Sequence, residues 1–408
     1  MPGPFGSTLT TPPGRNPKPS PSGYALNLQS FSATGYTVQK NGSVQQWNLD
    51  LQRELPAGFF ADVAYAGAHG VHLPQFNTNI DQIPDSFIAA AAVQAAQGQT
   101  PTIAQVVPAA SYPFSPGLTG SLALGNLKQG QLDRPFPQYT GLNLNGQGCC
   151  GSTYHSLQAT VVRRFAGGGT MLVAYTNAKL LANTDSLTSW LEGGGTGGVG
   201  QVQDWNNLGA ERSLASQDVS QRLVISYVLD LPLGRGKKFL GDVSGVGERL
   251  VSGWGVDGVT IFQQGFPLKI SYGGSTPLSA LGLGIGTLRP NVVAGCNKGA
   301  PAGVSRLNEW FNTACFTAPP QWGFGSESRV DPTLRQDGVK NFDFAIFKRT
   351  TFGPSERMNV EFRTEFFNLF NHPQFAAPNT TQVSPNFGVV TSTLGNPRLV
   401  QFGLKFAF

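Results

Sequence analysis

A chain of 408 residues is long enough for a wide barrel or a large core. Charged residues make up 12% of it, about half the share usual in globular proteins, while glycine stands at 52 positions. The net charge of +5 is small for this length and argues against a dedicated nucleic-acid binder, which would cluster its Lys and Arg. No apolar run reaches the roughly 18 residues of a membrane-crossing helix, a limit that does not apply to membrane-crossing strands.

Residues 1–42 open with seven prolines in the first 21 positions, a composition that favours irregular, extended chain and is expected to form a loop on the outside of the cell. Within them Tyr24, Leu26 and Leu28 alternate with polar or small residues as a weak strand candidate. The start, Met1 to Phe5, has neither the basic nor the apolar region of a signal peptide, so the chain is expected to be the C-terminal piece of a longer exported protein.

From Val44 the period-two pattern sharpens. Trp47, Leu49 and Leu51 alternate with Asn48, Asp50 and Gln52; Pro56-Ala57-Gly58 turns, and Phe59 to Ala66 returns, a hairpin. Residues 67–153 then read as a loop with a helix over Ser86 to Gln97, capped by Asp85 or Ser86. Three more strand pairs follow: Tyr154–Phe165 with Thr170–Leu181, Gln217–Leu231 with Ser252–Phe266, and Asn341–Phe352 with Glu356–Phe370. The last strand is Arg398 to Phe408, with Val400, Phe402, Leu404, Phe406 and Phe408 on one parity and Leu399, Gln401, Gly403, Lys405 and Ala407 on the other.

Eleven strand residues span roughly 36 Å, or roughly 28 Å at a tilt of about 40°, enough to cross the apolar band of about 25 Å of an outer-membrane barrel. Connections alternate short and long, as a barrel with short periplasmic turns and long extracellular loops requires. That alternation puts Phe408 on the periplasmic side. Between Met358 and Phe370, Glu361, Arg363 and Glu365 share one parity and Val360, Phe362 and Phe366 the other. Arg363 against lipid would cost about 2–4 kcal/mol, so the charged parity is expected to face the lumen. The fold class expected is all-β: an antiparallel transmembrane β-barrel segment of about nine long strands, with one short helix in a loop. A secreted, soluble β-rich surface-binding or adhesion protein is the alternative, and a non-functional gene fragment a third reading.

No catalytic constellation appears, and no enzyme activity, cofactor or metal is expected. Gly193 to Gly198 fits G-x-G-x-x-G by counting alone, without the strand before and helix after that a nucleotide site needs. Arg235, Lys237 and Lys238 lack P-loop spacing and read as a solvated turn. His69 and His72 are too few ligands for a metal site. Trp190, Trp205, Trp310 and Trp322 lie in loops, there to pack loop cores or to stack on sugars or peptides. Cys296 and Cys315 form a candidate loop disulfide in an exported chain, whereas Cys149 and Cys150 stay open between free and oxidised.

Several stretches resemble the Oar-like TonB-dependent outer-membrane receptors, a carboxypeptidase-regulatory-like domain-containing family. They are Tyr154 to Gln158 with Arg163-Arg164-Phe165, Asp218 to Lys238, Gly253-Trp254 through Pro267, Trp310-Phe311-Asn312, Phe362 through Asn371, and the terminal strand. The resemblance covers residues 43–408. It implies an N-terminal accessory domain, a plug, and a 22-stranded barrel energised through TonB, for uptake or secretion-linked transport of an unidentified ligand. This chain would supply about nine of those strands, and the TonB system would engage only through a plug region outside it. Nine antiparallel strands cannot close cleanly, so an unclosed, curled sheet is expected. The Phe402, Leu404, Phe406 and Phe408 parity also resembles the C-terminal signal read by the barrel-assembly machinery, which with outer-membrane lipid completes the expected partners.

Overall fold

Alternation of apolar and polar side chains makes the long strands. Nine of them form one sheet in strictly sequential order, each hydrogen-bonded antiparallel to the next. The computed structural model describes residues 29–34, 40–75, 78–108, 126–137, 139–145, 147–184, 202–352 and 358–407. The wall strands are β1 (Ser43–Leu55), β2 (Phe59–Gln75), β3 (Gln147–Arg164), β4 (Gly169–Ala182) and β5 (Gln221–Asp230). They continue as β6 (Trp254–Gln263), β7 (Val339–Phe352), β8 (Met358–Phe367) and β9 (Leu399–Ala407). The ten-residue strands β5, β6 and β8 rise about 25 Å at barrel tilt, the height of an outer-membrane apolar band. The sheet is not closed: β1 and β9 are its two edges.

The three described compact connections lie at one end. The first is Pro56–Gly58, where Ala57 and Gly58 both take positive φ. The second turns at Gly168 and Gly169, whose φ near +106° and +110° suit glycine alone; a Cβ on Gly169 would strike the Val228 carbonyl oxygen. The third, residues 231–253, contains a short helix, Val246–Val251. The fourth, residues 353–357, lies outside the described residues together with the expected Gly353-Pro354-Ser355 turn.

Strand boundaries shift where side chains compete for the backbone. The first long connection is shorter than expected, because β2 runs on to Gln75 and β3 starts at Gln147. A register shift between Gly70 and Leu73, with His72 at φ +54°, lets the pair continue. Conversely β5 starts at Gln221 and not at Gln217, because Asp218 accepts from the Leu180 amide at 2.6 Å and leaves the ladder. Strand β8 stops at Phe367, where Asn368 turns at φ +53°.

The helix α1 spans Asp85–Ala96, but neither Asp85 nor Ser86 caps it: Pro84 holds the N-cap without a side-chain bond. Asp85 instead accepts from Asn206 Nδ2 (2.8 Å) and Gln82 Nε2 (3.2 Å). Among the described residues three further short α-helical segments occur, Gln129–Leu132, Val246–Val251 and Pro277–Ala280. Part of the stretch expected to be irregular, Gln29–Thr34, is a strand; it pairs parallel with Tyr139–Asn145, which also pairs with Thr78–Asn79. The Tyr24 to Leu28 candidate lies outside the described residues except for its last neighbours.

Two buried apolar clusters sit in the long connections. One joins Leu268, Ile270, Trp310, Phe311, Cys315, Phe316 and Leu334; the other joins Ile83, Ile88, Ala91, Ile103, Leu278 and Leu283. The long connections therefore fold into a cap with its own core.

Candidate functional site: the polar wall face and its cap

Directly paired residues share a face of the sheet, so the ladder registers assign both faces. One face carries Leu49 and Leu51 of β1, Val63 and Tyr65 of β2, Leu157 and Val161 of β3, and Phe402, Leu404 and Phe406 of β9. All nine are exposed, Leu51 and Leu404 at 75%. Large apolar side chains left uncovered along both flanks of one sheet face mark a surface built for an apolar surrounding.

The opposite face is polar at both ends of the sheet. On β1 and β2, Gln52 donates to Asp62 at 3.2 Å across a directly paired position. On β6 to β9, Arg363 organises the charges. Its Nη2 lies 2.8 Å from both carboxylate oxygens of Asp257, and its Nε donates to Glu365 at 2.8 Å. Glu361 lies 3.7 Å from Arg363 Nη1 and accepts from Arg349 Nε at 2.7 Å. Register explains the reach: Arg363 pairs with Phe347, while Ala345 separates Glu365 from Asp257. Alanine there and Gly403 opposite Arg363 leave room for the guanidinium to cross β7. The Phe347 ring is 1% exposed and lies under Arg349 (4.5 Å) and Arg363 (5.8 Å). Glycine at 255 makes that possible, since a Cβ would meet the ring at 2.2 Å. The sequence singled out Glu361, Arg363 and Glu365, and the structure brings them together. It missed Asp257, whose small-or-polar parity with Gly255 was the available signal.

Arginine–carboxylate pairs hold the cap together, and Arg329 ties it to the wall. Arg134 and Asp81 are fully buried and 2.9 Å apart. Arg134 also donates to the carbonyls of Asp81 (2.8 Å) and Thr140 (2.9 Å), and Asp81 accepts from the Phe136 amide at 2.8 Å. Burial nevertheless pushes the Asp81 carboxyl up to about 6, against the pull of Arg134 and that amide. Arg289 meets Glu211 at 2.6 Å, and Arg329 donates to the Glu211 carbonyl (3.0 Å) and to the Ala182 carbonyl at the end of β4 (2.8 Å). Arg335 pairs with Asp218 at 2.6 Å. Lys298 bridges Glu327 (2.9 Å) and Asp331 (2.5 Å). Burial raises Asp331, but Lys298 and the amides of Leu334 and Thr333 outweigh it and hold this carboxyl below its ordinary value.

The other sequence candidates fall as follows. Cys296 and Cys315 are joined by a disulfide with Cα atoms 5.6 Å apart. Cys149 and Cys150 are free thiols with sulfurs 3.2 Å apart, Cys150 buried. Trp310 is buried, donates to the Arg335 carbonyl (2.7 Å) and stacks under Arg306; Trp322 packs against the second cluster. Those two tryptophans serve loop packing. The Trp205 amide donates to Gln82 Oε1 at 2.7 Å. His69 contacts Thr153 Oγ1 at 3.3 Å, and no group of three metal-ligating side chains occurs among the described residues. Arg235, Lys237 and Lys238 are exposed in the third compact connection. Trp190, Phe408 and Gly193 to Gly198 lie outside the described residues.

An uncovered apolar sheet face, a charge-paired opposite face and compact turns confined to one end define an outer-membrane barrel wall. The outer membrane beta barrel domain family matches residues 2–401, and the chain belongs to that family. Among solved structures it is similar to the crystal structure of the outer membrane transporter YddB from Escherichia coli. That similarity has 8% identity and a TM-score of 0.43, over 92% of this chain and 34% of the other. The chain thus spans about a third of that protein's length. A comparison with curated protein sequences gives no match.

Proposed function

We propose that the chain forms a wall segment and extracellular cap of an outer-membrane transport barrel of the Oar-like TonB-dependent type, without enzymatic activity. The observation that carries this is the two-faced nine-strand meander: exposed Leu, Val and Phe on one face, the Arg363–Asp257–Glu365 group on the other. Lipid contacts the first face and the lumen the second, because three carboxylates around one arginine tolerate water and not hydrocarbon. The compact turns lie in the periplasm, and β9, descending from Leu399 to Ala407, ends there. The ordered cap stands over the long-connection end, where an incoming ligand would first be met. Energy coupling, a plug and the missing strands needed for closure belong to other segments of such a receptor, and TonB reaches this wall only through them.

The chain, exported into a Gram-negative periplasm, should sediment with outer membrane, need detergent for extraction, and migrate faster on gels before heating than after. A fully soluble product that needs no detergent would overturn this reading in favour of a secreted surface-binding protein.

A further inference from the structure

The third compact connection, residues 231–253, is unlike the first two because it leaves four large apolar side chains in the open. Phe239 is 52% exposed, Leu240 57%, Val246 77% and Leu250 65%. Val246 and Leu250 stand one turn apart on the short helix and so share a side of it. The stripe then continues into the wall: the Trp254 indole N–H donates to the Leu250 carbonyl at 2.9 Å, and Trp254 pairs with Lys348 on the apolar face of the sheet. The Lys348 ammonium lies 5.4 Å from the Trp254 ring.

Exposed cations flank this stripe. Arg235, Lys237, Lys238 and Arg249 face Asp242 and Glu248, and the one pairing between them is Arg235 with Glu248 at a loose 4.0 Å, with Arg235 74% exposed. Lys237 donates to the Gly167 carbonyl (3.0 Å), which ties the segment to the neighbouring turn. On the same rim, Arg163 is held between the rings of Phe59 (4.7 Å) and Phe165 (4.6 Å), and its Nε has no hydrogen-bond partner.

We propose that residues 231–253 are an interfacial anchor that binds anionic phospholipid of the leaflet at the compact-turn rim. Phe239, Leu240, Val246 and Leu250 enter the acyl boundary, and Lys238 and Arg249 hold headgroup phosphates. Continuity with the lipid-facing wall identifies the occupant: a partner protein here would have to displace lipid from Trp254, whereas lipid covers both surfaces without a break. The excess of exposed cations selects the anionic headgroup. The proposal rests on the wall being membrane-embedded.

The test is native mass spectrometry of the full chain in neutral detergent micelles doped equally with phosphatidylglycerol or phosphatidylcholine. We expect about tenfold more phosphatidylglycerol retained than phosphatidylcholine. Lys238→Ala/Arg249→Ala should abolish that preference, while Lys340→Ala, at the opposite rim, leaves it. Leu250→Asn should weaken retention of both lipids. Soluble glycerol phosphate should not compete. Equal retention of the two lipids, an equal loss in Lys340→Ala, or full competition by glycerol phosphate would each overturn the anchor. A chain that stays in solution without detergent would instead overturn the embedded wall itself.

Discussion

Arg363 and Asp257 meet across an intervening strand, the Arg363 Nη2 lying 2.8 Å from both carboxylate oxygens. The pair ties β8 to β6 over β7 and balances charge across three strands. Both side chains keep some exposure, 31% and 20%, which moderates the effect of losing one of them. Arg363→Ala should lower stability to denaturant in micelles by about 1–3 kcal/mol, the range for hydrogen bonds to charged groups. Arg363→Lys should recover part of the loss, because an ammonium cannot serve Asp257 and Glu365 with the same fork. Equilibrium unfolding followed by tryptophan emission reads both.

The buried Asp81–Arg134 pair predicts a pH effect in the cap. Unfolded, the carboxyl has its ordinary value of 3.8; folded, burial lifts it to about 6. Between these values the folded state binds the proton more tightly, so this group favours folding at the acid end and the contribution is lost as pH rises through 6. Asp81→Asn should remove that slope from the pH dependence of protease resistance in the cap. Arg134→Met alone leaves a buried carboxylate without its partner and should cost about 3–5 kcal/mol at neutral pH. Asp81→Asn/Arg134→Met should cost less.

Three rings, Phe311, Phe316 and Phe387, pack edge to face with centroids 5.1–5.8 Å apart, next to the Cys296–Cys315 disulfide. Phe311→Ala should destabilise the cap by about 3–5 kcal/mol. Cys296→Ser/Cys315→Ser should cost about 2–4 kcal/mol. Limited proteolysis should find new cleavage within residues 264–338 in both variants and unchanged wall fragments.

Phe402 and Phe406 project from the edge strand β9 and are exposed at 69% and 53%. If the barrel-assembly machinery captures this edge, Phe402→Ala/Phe406→Ala should slow insertion in membranes containing that machinery severalfold. Refolding of the same variant in detergent should proceed at the parent rate. Kinetics of the heat-modifiable form in the two settings separate recognition from packing.

The wall was legible because each strand writes its environment at period two. Met358 to Phe367 shows charges on one parity and Phe, Val on the other, and the register obeys it. Strand ends were less legible. Gly67 to Gln75 extends β2 through a run in which only Val71 and Leu73 carry apolar parity, and Asp218 shortens β5 through contacts made elsewhere in the chain. The cap was the least legible part. Its order depends on partners such as Asp81 with Arg134 and Glu211 with Arg289, which lie far apart along the chain and leave no local periodicity. For Asp257 the parity with Gly255 marked the face, but only the register over β7 brings it to Arg363.

Adjacent residues of opposite parity test the two-faced wall most directly. Val161 and Ile225 belong to the apolar face, and Thr160 and Ser226, their chain neighbours, to the other. A lysine at 161 or 225 should cost about 2–4 kcal/mol against lipid and sharply reduce the heat-modifiable, membrane-inserted fraction. Thr160→Lys and Ser226→Lys should insert at close to the parent yield. Equal tolerance, or equal loss, at neighbouring positions would contradict a membrane wall with one face in lipid.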